Sequence, residues 1–253
     1  CVVQIVFLLS RFRSARTEKN IRVLVIPQLT RIGDVVCATP VFYSLKKARP
    51  DSHLAVLVSA MTSPILENNP HIDEIIVLED YSLFGLIKKI RQDKFNWSFS
   101  FSGTSLSSAL TLLGGLIHRA KITRADRPIS ELLTDWTATD HIFYDVHTYL
   151  PQVYLCFLKF IGINSTEERK EVFTDHESEK RVADFLQSHN IQPTDILVGI
   201  SVTAGNPVKE WGDEKFLELA QRIDATLGAK VMFIGSPWDE SHSLRSEKFT
   251  RPY

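Results

Sequence analysis

Cysteine is scarce in this 253-residue chain: Cys1, Cys37 and Cys156 stand far apart and form no CxxC pair. Such an odd, scattered set excludes a disulfide scaffold and fits a reducing compartment, so a cytoplasmic location is expected. The eight histidines form no HxxxH or HExxH pair, and none stands near a cysteine at ligand spacing. That removes the usual zinc signatures. Excess charge of one sign is missing as well. With 29 Lys/Arg against 30 Asp/Glu the net charge is −1, which gives no global pull toward nucleic acid. The longest early apolar run, Val2 to Leu9, is too short to span a bilayer. It precedes Arg11, Arg13, Arg16 and Lys19 instead of following them, the reverse of a signal peptide. Neither a GxGxxG nor a Walker A stretch occurs, so the dehydrogenase and P-loop NTPase readings lose their main support.

What is present is ordinary globular material, 44% hydrophobic and 23% charged. Residues 1–20, beginning at Cys1, read as a disordered or non-native extension or as a membrane-touching helix. From there strands and helices alternate. Ile21–Pro27 (IRVLVIP) is a short β-branched run of the kind buried on both faces. Gln28–Ile32 is a loop, and Gly33-Asp34 opens a helix that carries Ala38, Val41, Phe42, Leu45 and Ala48 at helical spacing and stops at Pro50. Strands follow at His53–Val58, Asp73–Leu78, Trp97–Phe101 and Ala120–Thr123. Helices are expected at Pro64–Asn68, Leu83–Gln92, Ser105–Leu116 and Tyr149–Ile161, with Asp126–Asp140 as loop. The polar stretch Asn164–His176 is the expected linker. Beyond it come a helix at Glu177–Ser188, a buried strand at Ile196–Ile200, a loop at Ser201–Trp211, a helix at Asp213–Leu227 and a strand at Lys230–Ile234. This rhythm predicts an α/β fold of doubly wound parallel sheets. Its divisions are a first domain over residues 21–163, a linker over 164–176, and the start of a second domain over 177–253. Only 77 residues follow the linker, where a Rossmann-like domain takes roughly 100–150.

In open α/β sheets ligands bind beyond the carboxyl ends of the strands. Two loops occupy that position. In Pro27–Asp34, Asp34 is either a helix cap or a general base facing a cleft. Gly33 beside it admits a ligand to the backbone, and Arg31 suits an anionic acceptor group. In Ser201–Trp211, the hydroxyls of Ser201 and Thr203, the tight turn at Gly205 and the ammonium of Lys209 suit a diphosphate; a plain surface loop is the other reading. Ser102-Gly103-Thr104-Ser105 follows a strand and opens a helix, as a cap or as an acceptor contact. Trp136, Asp140, His141, Asp145 and His147 cluster without a nucleophile motif, which favours a structural or hinge role. Between Cys1 and Pro50, nine Lys/Arg stand against Glu18 and Asp34, a local excess of seven positive charges. That is a solvated basic face or a surface for an anionic membrane or phosphorylated glycolipid.

These loops, in this order, resemble the family-9 glycosyltransferases, the lipopolysaccharide heptosyltransferase family, over roughly Ile21 to Gly235. The segment IRVLVIPQLTRIGDVVCATPVFYSLKKARPDSHLAVLV is similar to the family's first strand, IGD loop, helix and second strand. Asn69-Pro70-His71-Ile72-Asp73-Glu74 is similar to its NP-x-(I/V)-D segment, and Lys209-Glu210-Trp211 to its K-x-W signature. The resemblance implies a GT-B-like architecture of two Rossmann-like domains, here with the second truncated. It implies an inverting transfer of heptose from a nucleotide-sugar, typically ADP-heptose, to the lipopolysaccharide inner core, with no cofactor and no metal. Asp34 then matches the catalytic base. Thr203, Ala204, Gly205 and Lys209 match donor contacts, while Arg31, Gly33, Ser102 and Thr104 fall on the acceptor side. The implied partners are the donor, a lipid-linked oligosaccharide acceptor and anionic membrane at the inner face of the inner membrane, with no nucleic acid. Pro27-Gln28-Leu29 departs from the family's basic and small residues there. The family's further β-α units are not recognisable after Gly235-Ser236-Pro237. Transfer from another nucleotide-sugar, a non-catalytic binding module and an unrelated Rossmann-type binding protein are the rival readings.

Overall fold

The computed structural model describes residues 20–124, 129, 134–202 and 207–235. The expected extension therefore lies almost wholly outside the described residues. The chain divides into two compact units, Cys1–Thr174 and Asp175–Tyr253.

The first unit is built on six parallel strands: β1 (Arg22–Ile26), β2 (His53–Val58), β3 (Glu74–Val77), β4 (Trp97–Ser100), β5 (His118–Arg124) and β6 (Asp140–Tyr144), in the order β3-β2-β1-β4-β5-β6. β1 lies between β2 and β4, with Val23 opposite Leu54 on one side and Trp97 on the other. Its side chains alternate between two cores. Val23 and Val25 pack with Phe42, Leu45, Phe99, Phe101, Tyr154 and Phe157. Leu24 and Ile26 pack with Leu57, Leu86, Ile90 and Leu110. Helices therefore cover both faces: α1 (Ile32–Ala48) and α4 (Leu150–Leu155) on one, α2 (Leu83–Asp93) and α3 (Ser105–Leu113) on the other. Each fully buried aliphatic side chain contributes about 1.5–3 kcal/mol, so a strand buried on both faces anchors the unit.

α1 runs through Pro40 without a break. A proline there leaves the carbonyl four residues back without its helical donor, which is Val36 O. Thr39 Oγ1 donates to that carbonyl at 2.8 Å, and the same hydroxyl accepts from Glu171 N at 2.9 Å. Thr39 thus repairs the helix and ties residues 164–174 to it. The rest of that stretch is fastened to the first unit too. Ser165 Oγ meets Ser44 Oγ at 2.8 Å, Glu171 Oε2 lies 3.4 Å from His71 Nε2, and Phe173 contacts the His71 ring edge-on. Most of the expected linker is therefore bonded to the sheet unit, and the division between units falls at Thr174–Asp175.

Other expectations are corrected. β6 begins where the expected loop Asp126–Asp140 ends, in a stretch with no expected element. It is an edge strand with one buried residue, Ile142, so it carries little apolar signal. Pro64–Asn68 is only a 3₁₀ turn at Ser63–Ile65. The expected helix at Tyr149–Ile161 becomes 3₁₀ over Cys156–Ile161, where tighter i→i+3 bonds lead to Gly162 at φ 78°. Ala48 is exposed at the end of α1.

In the second unit, α5 (His176–Ser188) is capped by Asp175, whose carboxylate accepts from Ser178 N. The parallel pair β7 (Leu197–Ser201) and β8 (Lys230–Ile234) packs on α6 (Asp213–Leu227) through Ile200, Val202, Phe216, Leu219, Ala220 and Ile223. The reading of Ile196–Ile200 as a buried strand does not hold. Ile196 and Leu197 are exposed and only Ile200 is buried, because among the described residues β7 has one neighbouring strand.

Thr39→Val is expected to lower stability by about 1–3 kcal/mol in urea melts, since it strands two backbone groups at once. Thr39→Ser, which keeps the hydroxyl, is expected to recover most of the loss.

Candidate functional site

The loops after β1, β2 and β3 are joined at the carboxyl end of the sheet. Leu29 O accepts from Ser59 Oγ and from Thr62 Oγ1, and Ala60 N donates to Glu79 Oε2 at 2.9 Å. The turn Leu29–Asp34 is held by these bonds. Its helix α1 begins at Ile32, so the cap position belongs to Arg31, which makes no side-chain cap bond. Asp34 is the third helical residue. The capping reading of Asp34 is thereby corrected: its carboxylate lies in the first turn, where the helix dipole favours an anion, without serving as the cap.

The Asp34 side chain is 24% exposed, and the Arg31 guanidinium, 70% exposed, approaches it to 3.9 Å. Burial pushes the Asp34 carboxyl above its ordinary range, and the nearby Arg31 charge opposes that rise. A carboxylate with raised proton affinity at a strand-to-helix turn is suited to general-base work. No packing constraint requires glycine at position 33: a Cβ there would meet nothing within 4 Å. Beside Asp34 the backbone therefore borders open space.

Three further groups share this neighbourhood, and the sequence reading missed them. Burial raises the Cys37 thiol, with Lys170 lowering it and Asp34 raising it. Burial and the Asp34 charge raise the Tyr154 hydroxyl well beyond the usual tyrosine range. Tyr154 stacks on Phe101 with ring centroids 4.2 Å apart. Tyr154 sits in an apolar run that reads only as core, and Lys170 comes from the presumed linker. Nothing in their local sequence marks Tyr154 as a neighbour of Asp34 or Lys170 as one of Cys37.

Ser102 and Thr104 lie beyond β4. Thr104 caps α3, accepting from Ser107 N at 3.3 Å, and Ser102 Oγ lies 3.4 Å from Thr104 Oγ1. Gly103 between them has φ +64°, and a Cβ would fall 2.7 Å from Ile122 O, so glycine is demanded there by the turn and the close approach. Of the donor-side residues, Thr203, Ala204 and Gly205 lie outside the described residues. Lys209 is exposed and ends a 3₁₀ turn, Pro207–Lys209. Trp211, two residues on, meets Phe216 edge-on.

Several residues of the cluster near β6 are bonded locally. His141 Nδ1 meets Thr123 Oγ1 at 3.0 Å, Asp140 accepts from Thr139 Oγ1, and Asp145 accepts from His147 N. Three of the described residues in the early excess of positive charge have partners elsewhere. Lys46 pairs with Asp73, Lys47 lies over Tyr43, and Arg22 Nε donates to Asp93 O, all away from Asp34. Arg11, Arg13, Arg16 and Lys19 lie outside the described residues. Among the described residues no group of three or more His, Cys, Asp or Glu is placed to hold a metal ion.

The family model described as glycosyltransferase family 9 (heptosyltransferase) matches residues 83–250. The chain belongs to this family. A curated relative, lipopolysaccharide heptosyltransferase 3 of Escherichia coli, is 36% identical over 101 residues, covering 36% of this chain and 29% of the relative. The family 9 glycosyl transferase structure from Veillonella parvula superposes with TM-score 0.74 at 26% identity, covering 87% of this chain and 64% of that one. E. coli ADP-heptose lipopolysaccharide heptosyltransferase II superposes with TM-score 0.69 at 17% identity, covering 87% of this chain and 66% of that one. The fold is thus α/β and GT-B-like. The family 9 chain described here spans less than two thirds of the length of these relatives.

Two outcomes are expected of the Asp34 turn. Gly33→Ala is expected to stabilise the protein by about 0.5–1 kcal/mol in chemical melts, because alanine is the better helix former at an unconstrained position. For Asp34 the sign follows from its raised folded-state carboxyl. The folded protein holds this proton more tightly than the unfolded chain, so stability falls as pH rises from 3.8 through the raised value. Asp34→Asn removes that loss, and its Tm at neutral pH is expected to match or exceed wild type; a Tm several degrees lower would show that Asp34 holds the helix.

Proposed function

We propose that this family 9 chain supplies the acceptor side, and part of the donor side, of an inverting glycosyltransferase that moves heptose from ADP-heptose to the lipopolysaccharide inner core. One observation carries the reading: a half-buried carboxylate, Asp34, kept proton-avid by burial at the carboxyl-end turn of β1, with the unobstructed backbone of Gly33 beside it. The names of the relatives support the choice of sugar and acceptor, since two of them are lipopolysaccharide heptosyltransferases and one carries ADP-heptose in its name.

In the proposed reaction an acceptor hydroxyl attacks the anomeric carbon of the donor. Asp34 takes the hydroxyl proton as the new C–O bond forms. The bond from that carbon to the diphosphate breaks on the opposite face, which inverts the centre, and the nucleoside diphosphate leaves with the electron pair. Lys209, with the loop of Thr203, Ala204 and Gly205, offsets the charge gained by the diphosphate. Arg31 meets an anionic group of the acceptor, and Ser102 and Thr104 border the same side. No metal ion takes part. Among the described residues no helix is long and apolar enough to cross a membrane. The proposed place of work is the cytoplasmic face of the inner membrane, where the acceptor is presented, with the membrane and no nucleic acid as the larger partner.

Asp34→Asn is expected to lower kcat/KM roughly 10²–10⁴-fold, the usual contribution of a positioned base. Wild-type transfer is expected to rise with pH through a midpoint above 3.8. ADP is expected to raise the Tm of both proteins more than UDP or GDP at equal concentration. An unaltered rate in Asp34→Asn removes the mechanism, and an equal or larger shift with UDP or GDP removes the donor assignment.

A further inference from the structure

Among the described residues, Tyr154 sets a hydroxyl into a group of fully enclosed aromatic side chains that are otherwise phenylalanines. Phe42, Phe99, Phe101 and Phe157 belong to the same core, and Tyr154 itself is 1% exposed. Its ring lies nearly parallel to that of Phe101, with 9° between the planes. Phenylalanine would make the same stack with no polar atom to satisfy, so the hydroxyl calls for an explanation of its own. The fold places this ring beside the Asp34 turn. Phe101 N donates to Ile26 O at 2.9 Å, which sets Phe101 at the carboxyl end of β1, where that turn departs. Tyr154, reaching Phe101 from α4, shares its core with Val35 and Ala38, which adjoin Asp34 and Cys37 on α1.

Burial first, and then the Asp34 charge, keep the Tyr154 phenol protonated, with smaller additions from Cys37 and Tyr144 and with Arg31 opposing. It is thus a donor throughout the range in which a carboxyl titrates. Among the described residues neither this hydroxyl nor the Asp34 carboxylate has a hydrogen-bond partner, and Arg31, 70% exposed, stands off at 3.9 Å. A donor from α4 and an acceptor from α1 are therefore both unmatched in one neighbourhood. The other cation close by, Lys170, acts on Cys37. The carboxylate is tied only to a guanidinium in solvent, which does little to fix its orientation.

We propose that Tyr154 positions the base: its hydroxyl donates to one oxygen of ionised Asp34 and leaves the other oxygen for the acceptor hydroxyl. This rests on the reading of Asp34 as the base. Tyr154 keeps its own proton throughout, and the acceptor proton goes to the second carboxylate oxygen. A base held in one orientation stays in the geometry that proton transfer needs.

The test is titration of the Asp34 carboxyl in the full chain by carbon-13 NMR, with Asp34→Asn identifying its signal. Tyr154→Phe keeps the ring and its stack. It is expected to raise the Asp34 midpoint by about half a pH unit or more, because a donor to the charged form is removed. Tyr144→Phe, which removes the other nearby phenol at the end of β6, is expected to leave the midpoint at the wild-type value. In transfer assays Tyr154→Phe is expected to lower kcat about tenfold, the worth of one hydrogen bond, with the acceptor KM unchanged. Combined with Asp34→Asn it is expected to cost nothing further, since both changes remove one unit. An unmoved midpoint in Tyr154→Phe overturns the proposal, as does an equal rise in Tyr144→Phe or a loss confined to KM. Full transfer by Asp34→Asn with a raised midpoint in Tyr154→Phe has a different meaning: the base reading fails while the hydrogen bond stands.

Discussion

The two-faced burial of β1 is the constraint on which the rest depends. Five residues, Arg22–Ile26, pair in parallel with β2 and β4 and send alternate side chains into separate cores. Because both faces and both edges are occupied, the end of β1 is one of the best fixed points in the unit. The turn that follows inherits that rigidity, with Leu29 O held by two hydroxyls from the neighbouring loop. A half-buried carboxylate placed one helical turn later can therefore be kept in a geometry where its proton affinity is set by its surroundings. Arg31, in contrast, is largely in solvent, and at 3.9 Å it tempers the carboxylate without neutralising it.

A second dependence runs through Thr39. Pro40 costs α1 one backbone bond, and a single hydroxyl restores a partner to Val36 O while accepting from Glu171 N. The segment leading to the second unit is thereby fastened to the helix that carries Asp34. His71, between Tyr43 and Phe173 and facing Glu171, reinforces the same attachment. Lys170 is brought beside Cys37 as a consequence, so residues far apart in the chain share the electrostatics of one turn.

Much of the fold was legible because local pattern and tertiary environment agree. The unbroken apolar runs of β1 and β2 say that both faces are covered, and the sheet covers them. The basic last turn of α1 and its stop before Pro50 were readable from dipole and helix-stop rules. β6 was not legible, since an edge strand with one buried side chain has no pattern to show. The exposure of β7 was misread because an apolar run reports what a strand can bury, and its neighbours decide what it does bury. The bonds that fasten residues 164–174 to the first unit were not legible, because a polar composition looks the same in a free segment and in one whose polar groups are bonded to a helix.

The site divides along the same line. Sequence alone determined that Gly33 and Asp34 stand at a strand-to-helix turn, and its motifs pointed to the family that the comparison then established. It also indicated that any anion contact on the acceptor side would fall to Arg31. Only the tertiary structure decided that Asp34 is not the helix cap, that burial raises its proton affinity, and that its charge acts on Tyr154 and Cys37, the latter also reached by Lys170. The physical reason is that periodicity and capping are local properties of the chain. Desolvation and field depend on which distant segments pack together, and that is settled only when the two faces of the sheet are closed.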